Sequence, residues 1–99
     1  MDNIPDIQYA DDMGLTHGDF FRLLPSAMGE HTYRIEGNTV YGEVHAGTVE
    51  ITMGEQQVRR IALMAIPFAR VSFHFRGVTK TQQEAFKEYF DLRFQRGGG

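Results

Sequence analysis

Alternating hydrophobic and polar residues between positions 32 and 53 predict three β-strands joined by two tight turns. Gly37-Asn38 fits the first turn, because two-residue hairpin turns need residues that tolerate a positive φ angle. Ala46-Gly47 fits the second turn for the same reason. With these turns, the apolar residues of all three strands share one face, which we expect to be buried: Tyr33, Ile35, Val40, Val44, Val49, Ile51 and Met53.

The opposite face of these strands is polar and brings like charges together. In the expected register Glu43 opposes Glu50, and His45 follows Glu43 on the same face. Because opposed carboxylates repel, we expect a counter-ion, either a metal ion held by carboxylate and imidazole groups or an arginine of the same face. His74 joins this set if the apolar residues of its own strand face the core. A nearby arginine or simple solvation of both glutamates is the simpler interpretation, since a solvated sheet face normally carries mixed charge. The candidate arginines are Arg34, Arg59, Arg60 and Arg76.

A helix is expected to precede the strands. Thr16 is a suitable N-cap, and Asp19 follows three residues later as in a capping box. Pro25 removes a backbone donor, so the helix is expected to end or kink just before it. Its apolar face consists of Phe20, Leu23 and Leu24.

A second, longer helix is predicted over residues 81–95, where Thr81 and Glu84 form a capping box. Gly97 fits the position just past the helix end. The terminal Gly-Gly-Gly also resembles the tails of ubiquitin-like and sulfur-carrier proteins, which an activating enzyme can adenylate. The apolar stripe of this helix is Ala85, Phe86, Tyr89, Phe90 and Leu92.

Two further strands are predicted between the turn at residue 54 and the last helix. The first, over residues 58–67, is apolar on both sides from Ile61 to Ile66, which is typical of a central strand or one covered on both faces. Residues 70–76 alternate between apolar and polar side chains and are flanked by arginines. We interpret 70–76 as an edge strand, whose unpaired backbone can recruit a partner.

These elements predict an α+β fold, with a four- or five-stranded antiparallel meander sheet, an N-terminal helix and a longer C-terminal helix packed on one face. The order resembles that of TATA-binding-protein-like and helix-grip domains, in which a long C-terminal helix packs on a curved sheet. At 99 residues the chain suits one domain, over 15–96. Residues 1–14 are expected to be a mobile arm with a short extended piece at 7–10, and residues 97–99 a flexible tail.

Composition narrows the function classes. The chain has no cysteine, so it has neither a thiol nucleophile nor a cysteine zinc site. Its net charge of −3 argues against a general binder of nucleic-acid backbones, although the second half is basic. Its longest apolar run is far shorter than the about 20 residues of a membrane-spanning helix, and its acidic start is unlike a signal peptide. We therefore expect a cytoplasmic protein that is not bound to membranes.

No nucleophile elbow, zinc-protease motif or phosphate loop occurs in the sequence. We therefore interpret the chain as a non-catalytic interaction domain without a cofactor, whose partner is a protein, with a second copy of the chain among the candidates. The predicted contact residues lie on the polar sheet face and on the 70–76 strand: Arg34, Tyr41, Glu43, His45, Glu50, Thr52, Arg70, His74 and Arg76.

An alternative is a small-ligand domain with a cavity between the sheet and the last helix. Its expected lining is aromatic: Phe73, Phe75, Phe86, Tyr89 and Phe90. A third interpretation is a Gly-Gly-tailed carrier, but the strand-strand-helix-strand order of a ubiquitin-like roll is absent from the predicted elements.

Overall fold

A computed structural model describes residues 8–97 of the chain. Two helices and a six-stranded antiparallel sheet make up these residues, which confirms the predicted α+β class. The elements follow in the order β1 (Gln8–Met13), α1 (His17–Met28), β2 (Tyr33–Glu36), β3 (Thr39–Val44), β4 (Gly47–Met53), β5 (Gln57–Ile61), β6 (Met64–Arg76) and α2 (Lys80–Gly97).

The sheet has the strand order β1-β6-β4-β3-β2, and β5 pairs with the first part of β6. Every pairing is antiparallel. One sheet face packs against both helices and forms the core with them, because alternate strand residues point to the same side. The fully buried strand residues of this face include Val40, Val44, Val49, Ile51, Val71, Phe73 and Phe75.

The β2–β3 pairing follows the predicted register, in which Ile35 opposes Val40. The β3–β4 pairing does not, because the turn lies at His45-Ala46 and Val44 opposes Gly47. His45 itself adopts the positive φ of 54° that the turn requires. The error is two residues, and two residues is the side-chain period of a strand, so the face assignment of β3 and β4 survives although the opposing partners change. The expected burial of the β2 residues is wrong, because β2 is the last strand of the sheet, Ile35 is 46% exposed and Tyr33 is only partly buried.

The first helix continues through Pro25 instead of ending before it. Thr16 caps it as predicted, accepting a hydrogen bond from the Asp19 N–H at 3.1 Å. After the proline the helix still buries Ala27 and Met28 completely, and this packing offsets the one missing backbone donor.

The second helix begins earlier than predicted, at Lys80. The capping box lies at Thr79 and Gln82, whose side chains each accept the other residue's N–H at 3.2 Å. The predicted pair of Thr81 and Glu84 is therefore wrong by two residues. The same Thr-x-x-Glu/Gln pattern occurs twice in this stretch, and the first copy directly follows the buried Val78.

The residues predicted as two separate strands, 58–67 and 70–76, instead form a single hairpin of β5 and the long strand β6. β5 and β6 are joined by a turn at Ala62-Leu63, and β6 runs without a break for 13 residues. β4 and β5 lie along the same edge of β6, separated by a bulge at residues 54–56. The prediction that 58–67 is central or covered on both faces is therefore wrong, since every residue of β5 is exposed.

The prediction that 70–76 forms an edge strand is also wrong. This part of β6 lies inside the sheet, with β4 on one side and β1 on the other. β1 comes from the segment expected to be a mobile arm, of which residues 8–13 are instead paired with β6. Residues 1–7 and the last two glycines of the expected tail lie outside the described residues.

Candidate interaction surface

A two-stranded ribbon, residues 57–68, extends beyond the main sheet. We call it the β5–β6 arm. Its two strands pair only with each other within the described residues, because β1 pairs with β6 from Ala69 onward and β4 from Val71 onward. Both outer edges of the arm therefore carry backbone groups without a neighbouring strand, the arrangement that permits pairing with another chain.

The arm is apolar where it is most exposed. Leu63, in the turn, has a relative exposure of 103%, and Val58, Ile61 and Met64 are all more than half exposed. These are four of the seven exposed large hydrophobic side chains among residues that the structure describes. Ile61, Leu63 and Met64 are neighbours at the tip, whereas Val58 lies on the other side of the ribbon. Contiguous exposed apolar patches are characteristic of interaction sites, whereas single exposed apolar residues are ordinary.

One side of the arm continues the open face of the sheet, the face that carries no helix. Ile61 and Met64 share this side at the tip, and Arg59 and Ile66 share it nearer the base. The Arg59 guanidinium lies 4.8 Å from the centre of the Phe68 ring. The arginine thus partly covers the apolar surface at the base of the arm and leaves the tip uncovered.

Gln56, in the bulge, connects the base of the arm to the start of α1. Its side-chain N–H groups donate to the carbonyls of Leu15 at 3.1 Å and Phe68 at 3.2 Å. Its side-chain oxygen accepts the backbone N–H of His17 at 2.8 Å. The His17 ring Nε2–H in turn donates a hydrogen bond to the carbonyl oxygen of Gly54 at 2.8 Å. These bonds fix the base of the arm against the body of the domain.

No sequence pattern links Gln56 to His17, because Gln56 lies in the bulge after β4 and His17 at the start of α1. They are separated by 39 residues, and no spacing rule relates them. Their pairing depends on the bulge between β4 and β5, which only the tertiary structure reveals.

The predicted polar-face residues form a row across four strands. Arg34 opposes Tyr41, Tyr41 opposes Glu50, and Glu50 opposes His74. The Arg34 guanidinium lies 4.6 Å from the centre of the Tyr41 ring. Glu50 pairs with the Arg76 guanidinium at 3.6 Å, so an arginine accompanies this carboxylate.

The other predicted contact residues are scattered around this row. The predicted opposition of Glu43 and Glu50 is wrong, because Glu43 opposes Thr48. His45 lies in the turn rather than on a strand, with its ring 6.1 Å from that of His31. Arg70 pairs with Asp12 at 3.5 Å, and the Thr52 hydroxyl lies 3.4 Å from that of Thr39.

The four metal candidates, Glu43, His45, Glu50 and His74, are not brought together. Only Glu50 and His74 oppose each other directly. Within residues 8–97, no group of three or more histidines, aspartates or glutamates is arranged to hold a metal ion.

The space expected to hold a ligand between the sheet and α2 is occupied by aromatic rings. Phe90 contacts the Phe73 ring edge-to-face at a centroid distance of 5.0 Å, and Phe75 contacts Phe86 in the same way at 5.7 Å. All four side chains are buried, whereas Tyr89 is 41% exposed. The aromatic residues predicted to line a cavity therefore pack as core.

A groove of about 800 Å³ does lie elsewhere, between the end of β1, α1 and the C-terminal part of α2. Apolar side chains line part of it, including Leu15, Leu23 and Phe94. The charged residues around it are mainly acidic, and we call it the acidic groove. They are Asp11, Asp12, Asp19, Asp91 and Arg22.

Lys87 links β1 to α2 beside this groove. Its ammonium group donates to Asp11 at 2.7 Å and to Asp91 at 2.9 Å and 3.0 Å, and it lies 4.8 Å from the centre of the Phe73 ring. Burial lowers the pKa of Lys87, but the hydrogen bonds and charges of the two aspartates outweigh it. The net result is a pKa above the ordinary value of 10.5.

We expect Lys87→Met to destabilise the domain by about 1–3 kcal/mol at pH 7, because the charged hydrogen bonds to both aspartates are lost. A raised pKa in the folded state means that the lysine contributes its full stabilisation below pH 10.5 and loses it as the pH rises through the folded value. The difference in unfolding free energy between wild type and Lys87→Met should therefore shrink above pH 10.5. Urea titrations at pH 7 and at increasing alkaline pH measure it.

Lys80→Met is the matched control for this measurement, since Lys80 is exposed at the start of the same helix. Its effect on stability should be small and should not follow the same pH dependence. A Lys87→Met variant as stable as Lys80→Met at pH 7 would contradict a structural role for the Lys87 ion pairs.

Comparison of the chain with protein-family models, with curated proteins and with solved structures finds no match. The class of this protein is therefore defined by its own fold, a small α+β domain with an antiparallel sheet and a projecting apolar ribbon. Between residues 8 and 97, no helix combines the length and apolar character needed to cross a lipid bilayer.

Proposed function

We propose that this protein is a non-catalytic interaction domain that binds a protein partner through the β5–β6 arm. The observation that carries the proposal is the complete exposure of Leu63 at the end of a ribbon that also exposes Ile61 and Met64. The arm takes the place of the 70–76 strand, which cannot act as a free edge because both its sides are paired. The cytoplasmic location expected from the sequence stays a prediction.

The free energy gained by burying apolar side chains supports contact between the arm and a partner. Complete burial of a leucine, isoleucine or methionine side chain is worth about 1.5–3 kcal/mol, so the exposed tip offers a substantial apolar contribution to binding. A two-stranded ribbon without further strands is at best marginally stable in water. Contact with a partner would bury the apolar side chains and give the unpaired backbone groups of the strand edges hydrogen-bond partners.

The polar sheet face supports the proposal less strongly. Glu50 and Arg34 already have partners within the domain, since Glu50 pairs with Arg76, and Arg34 contacts both Tyr41 and Glu36. Binding a partner there would first require some of these contacts to be exchanged. The arm needs no such exchange at its tip.

The proposal is tested by placing a photo-crosslinking amino acid at position 63 in cells of the source organism. We expect irradiation to give adducts of discrete mass, whose peptides identify one partner, self or other. Leu92, 42% exposed on α2, is the matched control position and should give no such adduct. If position 63 gives no adduct, or only the diffuse labelling seen at position 92, the arm is not an interaction surface.

A further inference from the structure

We infer that the partner of the β5–β6 arm is a second copy of this chain, whose acidic groove receives the arm. This inference rests on the proposed function and names its partner. It follows from three features of the described residues, namely the charge of the arm, the charge and apolar lining of the groove, and the place where the arm begins.

The arm is basic, and one of its arginines has no carboxylate partner among the residues that the structure describes. Residues 57–68 contain Arg59 and Arg60 and no acidic residue. Arg59 already lies 3.9 Å from Asp12 at the base. Arg60 is exposed and forms no ion pair with any residue in the described part of the chain. An unpaired arginine among exposed apolar side chains fits a partner that offers both carboxylates and apolar surface.

The acidic groove offers that combination. Four aspartates and one arginine, Arg22, line it, together with partly buried apolar side chains such as Leu15 and Leu23. Lys87 pairs with Asp11 and Asp91 beside the groove, whereas Asp19 has only an exposed pair with Arg22 at 3.5 Å, and exposed ion pairs contribute little. Its volume of about 800 Å³ is large enough to receive the tip side chains of an arm. Arg60 of one copy can share the exposed Asp19 carboxylate of the other copy with Arg22, because a carboxylate accepts several hydrogen bonds, while the tip side chains contact the apolar lining.

The arm cannot fill the groove of its own chain. Its base lies at the rim of that groove, where both Arg59 and Arg70 approach Asp12. The ribbon is extended, so its tip lies on the order of 17 Å farther along, at about 3.4 Å per residue over the five residues of β5. Leu63 is accordingly fully exposed in the single chain.

Two copies related by a two-fold axis can each place the arm in the groove of the other copy. If two arms lie antiparallel, each tip reaches the base of the other arm, which is where the other groove begins. Both copies then make the same contacts, and the assembly closes as a dimer. The free edges of the two arms also come side by side, where their unpaired backbone groups can bond.

Sedimentation velocity of the purified full chain at low salt, over a wide concentration range, tests the inference. We expect a monomer–dimer equilibrium, with a dissociation constant that rises by about 30-fold or more in Leu63→Asp, as for an interface hot spot. Leu92→Asp is the control and should leave the dissociation constant unchanged. Thermal melts establish that each variant is folded.

A charge exchange distinguishes the arm–groove contact from other dimers. Arg60→Glu and Asp19→Arg should each weaken the dimer by about tenfold or more, since each brings like charges together. An equimolar mixture of the two variants should restore dimers, because both contacts of the mixed dimer again join opposite charges. Asp19→Asn replaces Asp19→Arg if the reversal unfolds the chain, with a smaller weakening expected.

A wild-type chain that stays monomeric would overturn the inference. So would a dimer that is insensitive to Leu63→Asp, or one that the two charge variants do not weaken and restore. If the chain is monomeric while position 63 crosslinks to a different protein, the inference fails and the proposed function stands. If position 63 gives no adduct at all, the proposed function fails with it.

Discussion

Replacing Gly47 with alanine is expected to abolish most of the stability of the domain. An added Cβ would lie 2.1 Å from the carbonyl oxygen of Arg76 and 2.6 Å from the carbonyl carbon and oxygen of Gly77. All three are backbone atoms, which cannot rotate away as a side chain would. The substitution must therefore separate the start of β4 from the end of β6, two strands that pair directly beside this point.

We expect the free energy of unfolding to fall by at least about 4 kcal/mol, an effect of the size seen for backbone clashes and major packing defects. For a domain whose total stability is on the order of 5–15 kcal/mol, such a loss leaves a large unfolded fraction. Urea denaturation followed by circular dichroism measures it. A variant that is soluble but lacks a cooperative transition would agree with the same expectation.

Gly18→Ala is the matched control, because Gly18 lies in α1 and an added Cβ there meets only the Thr16 hydroxyl at 3.7 Å. Alanine also has a higher helix propensity than glycine, so this variant should be neutral or more stable by up to about 1 kcal/mol. A Gly47→Ala variant that loses less than about 1 kcal/mol would show that β4 and β6 do not approach as closely as described.

The second large effect is expected for Phe90→Ala. Phe90 is completely buried and its ring contacts those of Phe20, Phe73 and Phe94, so it joins both helices to the sheet. Removing a buried phenylalanine ring typically costs about 3–5 kcal/mol, through lost apolar burial and the cavity that remains. In this position the cavity would open at the centre of the aromatic cluster.

Thermal unfolding measures this effect, since 1 kcal/mol corresponds to about 4–8 °C for a domain of this size. We expect the midpoint to fall by at least about 12 °C in Phe90→Ala. Leu92→Ala, two residues away on the exposed side of the same helix, should change it by only a few degrees. Equal effects of the two variants would mean that α2 does not present Phe90 to the sheet.

The ends of α1 and α2 show which helix boundaries local sequence patterns predict correctly. Thr16 and Asp19 define the start of α1 correctly, because capping chemistry involves only neighbouring residues. The end of α1 was predicted too early, because Ala27 and Met28 are buried by distant parts of the chain. At α2 the capping pattern occurred twice, and the buried Val78 favours the first copy.

The hairpin from 57 to 76 shows where local patterns mislead. A run that is apolar on both sides normally indicates burial on both sides. Here the part from 57 to 65 is exposed throughout, and the alternating part from Ala69 onward lies in the middle of the sheet. The hydrophobicity of a segment indicates that its burial is favourable. It does not indicate whether the same chain or another molecule buries it.

Some features of the candidate site are predictable from the sequence, and others are not. The polar-face row from Arg34 to His74 was partly predictable, because the side-chain period of two fixed which residues share a face. The opposing partners of Glu43 and Glu50 were not, because their register depends on which residues form a turn. The arm was not predicted at all, since its exposure depends on where β1 and β4 stop pairing with β6.

The sequence by itself determined the α+β class, the inward faces of β3 and β4 and the start of α1. These follow from short-range periodicity and capping, which act between residues a few positions apart. Only the tertiary structure decided that β1 pairs with β6, that Gln56 connects the bulge to α1 and that residues 57–68 project as an arm. Each of these depends on contacts between distant segments, and their geometry is set when the whole sheet assembles.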